Sequence, residues 1–171
     1  MIEIGESFVG SGAEAAHLNT VLGTRAGPVG QAWATALATP SAGHVPFMVV
    51  AQPNLPVRPS TLFVAKATIA SAAHAALTWG PAQLGVASGV LDALADGVLS
   101  VADAEDCVLI AAVWVDPTAA DADLVYENNR RATCAALAAG RAGTPSLDEI
   151  LAVRDTPING YYTPPSLRTE T

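Results

Sequence analysis

The chain has 171 residues, enough for one domain, and sets 8 Lys+Arg against 16 Asp+Glu for a formal net charge of −8. That balance excludes a nucleic-acid grip as the main task, because neutralising phosphates takes clustered Lys and Arg. Hydrophobic residues at 51% and charged ones at only 14% exclude the disordered class and leave few charges to coat a monomer, so self-association is expected.

Residues 2–9 and 15–22 read as two short strands around the turn cluster Gly10-Ser11-Gly12, the pattern of a hairpin. Pro28 suits the first turn of a helix that runs to about Ala38 and stops at Thr39-Pro40. The β-branched stretch 45–51 is a strand, and Pro53, Pro56 and Pro59 make 52–60 a stiff extended loop. Residues 61–69 form the next strand. Ser71 begins an Ala-rich helix to Trp79, which Gly80-Pro81 breaks before a second helix from Pro81 to about Ala95, ended by Gly97. Ser100 and Asp103 have capping-box spacing, and the apolar run Cys107 to Val115 suits a fully buried strand. Pro117 opens a long helix to Ala139, closed by Gly140, and Ser146 to Glu149 caps one last short helix. Five strands and four or five helices predict a single-domain α+β fold, residues 1–154, with a sheet on one side and helices on the other. From Asp155 the periodicity is gone, and 155–171 is an irregular C-terminal tail.

No apolar run reaches the ~18 residues a membrane span needs. The opening Met1-Ile2-Glu3-Ile4 carries neither basic residues nor a signal-type apolar stretch. Cys107 and Cys134 lack metal-ligand spacing. A reduced, cytoplasmic protein without membrane contact is expected.

Polar residues that interrupt apolar strands are the informative ones, because burying a polar group costs free energy unless it is paired or used. Side chains two apart on a strand share a face, so His17 and Asn19 point one way from the second strand, as do Lys66 and Thr68 from the fourth. Lys66 is the only lysine in the chain. If both strands share a sheet with matching parity, one face carries an imidazole, an amide, an ammonium and a hydroxyl. Gln83 lies in the first turn after Gly80-Pro81, where free backbone N–H groups add donors. Such a set can hold a polar heterocycle and supply a proton. Each residue also has a structural reading, His17 as a bonded strand-end histidine and Lys66 as a stem that carries its ammonium to water. His44 and His74 read as structural, Asp121 and Asp123 as helix N-terminal charges, and Arg130 and Arg131 as a solvated or subunit-facing patch. There is no nucleophile elbow, phosphate-binding loop, metal spacing or dinucleotide fingerprint.

Read together, IGESFVGSGAEAAHLNTVLG (4–23), GPVGQAWATALA (27–38), QPNLPVRPSTLFVAKATI (52–69), WGPAQLGVASGVLDALADGVL (79–99) and AEDCVLIAAVWVDP (104–117) resemble the formaldehyde-activating enzyme family in collinear order. The resemblance implies a fold related to the second domain of ribosomal protein S5. It implies a cytoplasmic homopentamer that uses no metal and condenses formaldehyde with tetrahydromethanopterin to methylene-tetrahydromethanopterin and water. By the same resemblance His17 is the general acid, and Asn19, Met48, Lys66, Thr68 and Gln83 contact the pterin.

The sequence also departs from the family pattern. Position 19 is typically aspartate there and is Asn19 here, an amide with no charge to set against an imidazolium. Met48 replaces the usual leucine, and Val115-Asp116-Pro117 stands where a histidine is usual. Beside the leading reading of a hydro-lyase stand two others. One is a non-catalytic pterin- or aldehyde-binding paralogue, and the other is one-carbon chemistry on another reduced pterin or folate.

Overall fold

The computed structural model describes residues 2–168. Strands β1 (Ile2–Val9) and β2 (Ala16–Thr24) form an antiparallel hairpin in which Phe8 pairs with His17. Gly10 turns the chain at φ +88° and lies so close to Asn128 that a side chain would collide with that amide. After β2 come α1 (Pro28–Ala38), which contacts β2 and β7, and the short strands β3 (Phe47–Met48), β4 (Val50–Gln52) and β5 (Leu55–Pro56). Strand β6 (Ser60–Ala65) leads to α2 (Ala72–Leu77), α3 (Gln83–Ala95) and α4 (Val101–Asp106). Strand β7 (Cys107–Trp114), α5 (Ala122–Ala142) and α6 (Leu147–Ala152) complete the order.

The main sheet runs β1-β2-β7-β6-β3, antiparallel except for the parallel β6–β7 pair, while β4 and β5 make a separate ribbon. One face of the sheet is the core. Leu18, Leu22, Phe63, Leu109, Ala111 and Val113 are buried there against α3 and α5. Burying such apolar area contributes about 25 cal/mol per Å². The helices approach closely because their contact positions are small: side chains at Gly85 or Gly89 would strike the α5 backbone carbonyls of Tyr126 or Arg130. The architecture is the α+β sheet-and-helix arrangement expected from the alternation of elements.

Several boundaries differ from the sequence reading. Gly80-Pro81 does not break the helix, because a π-type turn (Thr78–Ala82) carries the chain from α2 into α3 and accommodates the ring and the missing N–H of Pro81. Helix α5 starts at Ala122 rather than Pro117. Asp116 accepts from the backbone and hydroxyl of Thr118 and holds a turn, and Asp121 then caps the helix by accepting from the N–H groups of Asp123 and Leu124. The same helix runs through Gly140, which packs on β1, and ends at Gly143 in the left-handed conformation. Strand β6 stops at Ala65, so Thr68 lies beyond it, and the proline-rich loop contains β5. Both predicted capping boxes are present, at Ser100/Asp103 and Ser146/Glu149.

Candidate active site

The face of β2 opposite the core carries His17, Asn19 and Val21, because Leu18, Thr20 and Leu22 point into the core. Cross-strand register extends that face. His17 pairs with Phe8 on one side and Trp114 on the other, and Asn19 pairs with Glu6 and Ala112. Val64 of β6 pairs with Ala112, and the Lys66 N–H donates to the Val113 carbonyl just past the strand end. Matching parity therefore sets His17, Asn19 and Lys66 on one face of one sheet.

The side chains interact there. Nε2 of His17 lies 3.1 Å from Oε1 of Glu6, and the imidazole is tilted against the Phe8 ring at 6.0 Å between centroids. Lys66 Nζ donates to the His17 carbonyl at 3.3 Å. Burial lowers the Lys66 pKa from its ordinary value, and the charge of Glu6 works against that shift. His17 and Glu6 are part of the wall of a cavity of about 350 Å³, which Phe8, Ile158, Asn159, Gly160 and Tyr161 complete.

Three of those lining residues belong to a turn in the C-terminal tail. The Asn159 side chain accepts from the N–H groups of Tyr161 and Tyr162, which shapes the turn. Gly160 rests on Phe8 too closely to admit a side chain, and Tyr161 meets Phe8 edge-on at 6.1 Å. Burial pushes the Tyr161 phenol upward, with Asp116 adding to the effect. Part of the irregular tail thus packs on the β1 hairpin, while its last residues, 169–171, lie outside the described residues.

Met48 and Gln83 line a second cavity of about 480 Å³ with Val45, Phe47, Val50 and Trp79. Gln83 is buried, and its amide is engaged twice with one residue, accepting from the Val50 N–H at 3.0 Å and donating to the Val50 carbonyl at 3.2 Å. Thr68 is exposed and packs on Gly43 in the loop before β3, lining neither cavity. The six residues singled out in the sequence therefore fall into a His17–Asn19–Lys66 group, a Met48–Gln83 group and Thr68 apart. Glu6 and Phe8 were not singled out. Their signal was the alternation of β1, which puts both on the His17 face once the hairpin register is known.

The remaining histidines have structural partners. His74 is buried, accepting from the Ala70 N–H at Nδ1 and donating from Nε2 to the Val115 carbonyl, and His44 Nδ1 lies 2.7 Å from the Ala65 carbonyl. Arg130 is held by both oxygens of Asp92. Among the described residues no cluster of three His, Cys, Asp or Glu is placed to hold a metal ion, and no helix is long and apolar enough to cross a membrane.

Comparison with known proteins attaches a chemistry to this geometry. The family profile described as formaldehyde-activating enzyme (Fae) matches residues 4–161, nearly the whole chain. The chain belongs to that family. It is 44% identical over 153 residues to the 5,6,7,8-tetrahydromethanopterin hydro-lyase of Methanosarcina barkeri, covering 90% of this chain and 86% of that protein. It is 42% identical over 151 residues to a bifunctional enzyme Fae/Hps of Methanosarcina mazei, covering 88% of this chain, and 39% identical over 174 residues to one from Methanosphaera stadtmanae, covering 97%. Of those two bifunctional proteins the chain spans 38% and 43%. The formaldehyde-activating enzyme match takes in Glu6, His17, Lys66 and Gln83, and it extends through the tail turn to Tyr161.

Proposed function

We propose that this chain condenses formaldehyde with tetrahydromethanopterin, releasing water and methylene-tetrahydromethanopterin, with His17 as the proton donor. The observation that carries the reading is an imidazole on an open sheet face, beside a carboxylate and facing a cavity, in a chain that is a formaldehyde-activating enzyme by family.

The atom balance defines the work. Formaldehyde and two N–H groups become an N–CH₂–N bridge and one water. The first amine adds to the carbonyl carbon and gives a hydroxymethyl adduct. Its C–O bond breaks when the hydroxyl takes a proton, and the nitrogen lone pair forms the iminium. The second amine closes the bridge and releases a proton, which returns to the acid. A histidine is suited to give and retake that proton near neutral pH, and positioned general acid catalysis contributes about 10²–10⁴-fold. Holding the two reactants together supplies further rate, since the condensation also proceeds unaided. Lys66, whose ammonium sits on the His17 carbonyl, and Asn19, next along the strand face, are assigned to the pterin.

The reading includes a homo-oligomer of five copies acting in the cytoplasm. Its support is the set of apolar side chains that one copy leaves exposed, among them Ile2, Ile4, Trp79, Leu84 and Leu91, and the two unpaired cysteines, Cys107 and Cys134. Met48, Thr68 and Gln83 complete the pterin contacts in this reading.

Stopped-flow absorbance of tetrahydromethanopterin plus formaldehyde, with and without protein, tests the proposal. The expected result is acceleration by the wild type and a return to the unaided rate in His17→Ala. No acceleration by the wild type, together with pterin binding in titration calorimetry, would replace the enzyme by a binding paralogue.

A further inference from the structure

We infer that Glu6 is the positioning carboxylate of His17, a role that the amide at position 19 does not fill. The inference rests on His17 acting as the acid. Position 19 is the neighbour two residues along β2, and its uncharged amide offers the imidazole no counter-charge. Glu6 reaches the ring from the adjacent strand. It stands directly opposite Asn19 and diagonal to His17, a separation long side chains span, and its Oε1 comes within 3.1 Å of Nε2. Among the described residues it is the one carboxylate within 4.0 Å of that imidazole.

The surroundings give the carboxylate a second reason to be there. Lys66 brings an ammonium to the His17 carbonyl from the β6 side, close enough for Glu6 to act on its charge. Glu6 therefore acts on two cations, the protonated ring and that ammonium. Phe8 packs against the imidazole from the same strand as Glu6, so two side chains of β1 hold the ring, one by charge and one by its face.

The arrangement divides the two ring nitrogens. Nε2 is turned to Glu6, which leaves Nδ1 for the reactant. Nδ1–H gives its proton to the hydroxyl of the hydroxymethyl adduct, the C–O bond breaks, and water leaves. Ring closure releases one proton from the second amine, and Nδ1 takes it back. Glu6 exchanges no proton in the cycle. It fixes the ring's direction and offsets the positive charge that alternates between imidazolium and iminium.

Glu6→Gln and Glu6→Asp, each compared with the wild type, test this. Glu6→Gln should lower kcat by about tenfold or more, a share of the general-acid contribution, with the pterin KM within about twofold, and Glu6→Asp should recover part of the loss. Ring ¹⁵N spectra of histidine-labelled protein, taken at one pH without substrate, should show the His17 signals displaced in Glu6→Gln, with His17→Ala identifying which of the three histidines they belong to. Wild-type kcat in Glu6→Gln overturns the inference. So does an equal loss in both variants accompanied by a lowered melting temperature, which marks a merely structural residue. If the wild type does not accelerate the condensation, the functional reading fails, and the spectra alone then decide Glu6: displaced His17 signals sustain the pairing and unmoved ones overturn it.

Discussion

The two ends of the sheet use their polar side chains in opposite ways. At the β3 end, Gln83 is buried and spends its amide on both backbone groups of Val50, pinning α3 to the β4 ribbon. At the β1–β2 end, His17, Glu6, Asn19 and Lys66 lie on the face opposite the core, and their side chains are only partly satisfied by the protein. The difference teaches how to tell a fastener from a reagent. A polar group whose bonds all go to its own backbone stabilises, whereas one left with spare bonding capacity beside a cavity is available to a ligand. His74 and His17 repeat the contrast in one residue type, the first buried with both nitrogens engaged and the second facing space.

Substitution on each side breaks or sharpens that contrast. The largest effect is expected at His17. His17→Ala should cost about 10²–10⁴ in the catalysed rate and leave the melting temperature within a degree or two, as differential scanning fluorimetry would read. A large loss of stability would make His17 a fastener too. Gln83→Leu should act the other way. It strands the N–H and carbonyl of Val50 and costs about 1–3 kcal/mol, which lowers the melting temperature by about 2–4 °C for each kcal/mol. Pterin binding in calorimetry should weaken as well, because Gln83 also lines the second cavity, and unchanged binding would leave Gln83 a fastener only.

Asn19→Asp is a smaller perturbation and sharpens the role of the open face. The new carboxylate would stand directly opposite Glu6, and like charges opposed across strands destabilise by about 0.2–1 kcal/mol. The expected outcome is a modest gain in rate, below about tenfold, with a slightly lower melting temperature. Loss of rate would mean the face tolerates one anion only.

The smallest effect lies away from both ends, at Asp103. Burial pushes its carboxyl up, but hydrogen bonds from the Ser100 N–H and hydroxyl, with the Arg141 guanidinium, outweigh that and hold it below the usual carboxylate range. A depressed folded-state value stabilises the fold above the unfolded value of about 3.9, and that contribution is lost as pH falls through the folded value. Asp103→Asn should therefore lower the melting temperature at pH 7, and its gap from the wild type should close as the pH drops below about 4. A gap that stays constant with pH would remove the charge from the explanation.

Much of this contrast is legible in the amino-acid sequence. Strand alternation pairs His17 with Asn19 on one face and Lys66 with Thr68 on another, because period-2 geometry depends only on spacing, and the register through β7 then brings His17, Asn19 and Lys66 to a common face. Capping boxes at Ser100 and Ser146 were readable for the same local reason. The register between strands was not readable, and Glu6 depends on it, since a carboxylate in an exposed alternating position looks like ordinary solvation until its partner strand is aligned. Gln83 reads as a pocket donor from its place after Gly80-Pro81, but its bonds to Val50 are not legible, since that residue is 33 positions away and no local pattern ties the two. The tail turn was equally hidden. Its packing rests on Gly160 meeting Phe8 across the whole length of the chain.

On the core side of β1, Gly5 lies directly under the Ala136 carbonyl of α5 and beside Thr20, while Gly140 of the same helix touches the backbone at Ile4 and Gly5. Strand and helix meet there with no side chain between them, and Glu6 is the next residue. Even an alanine at Gly5 would push the helix off the strand and carry the Glu6 carboxylate with it. A mutagenesis library that spared every residue around the cavity would still collect inactive clones at Gly5, and their lesion would sit on the opposite side of the sheet from the chemistry they had lost.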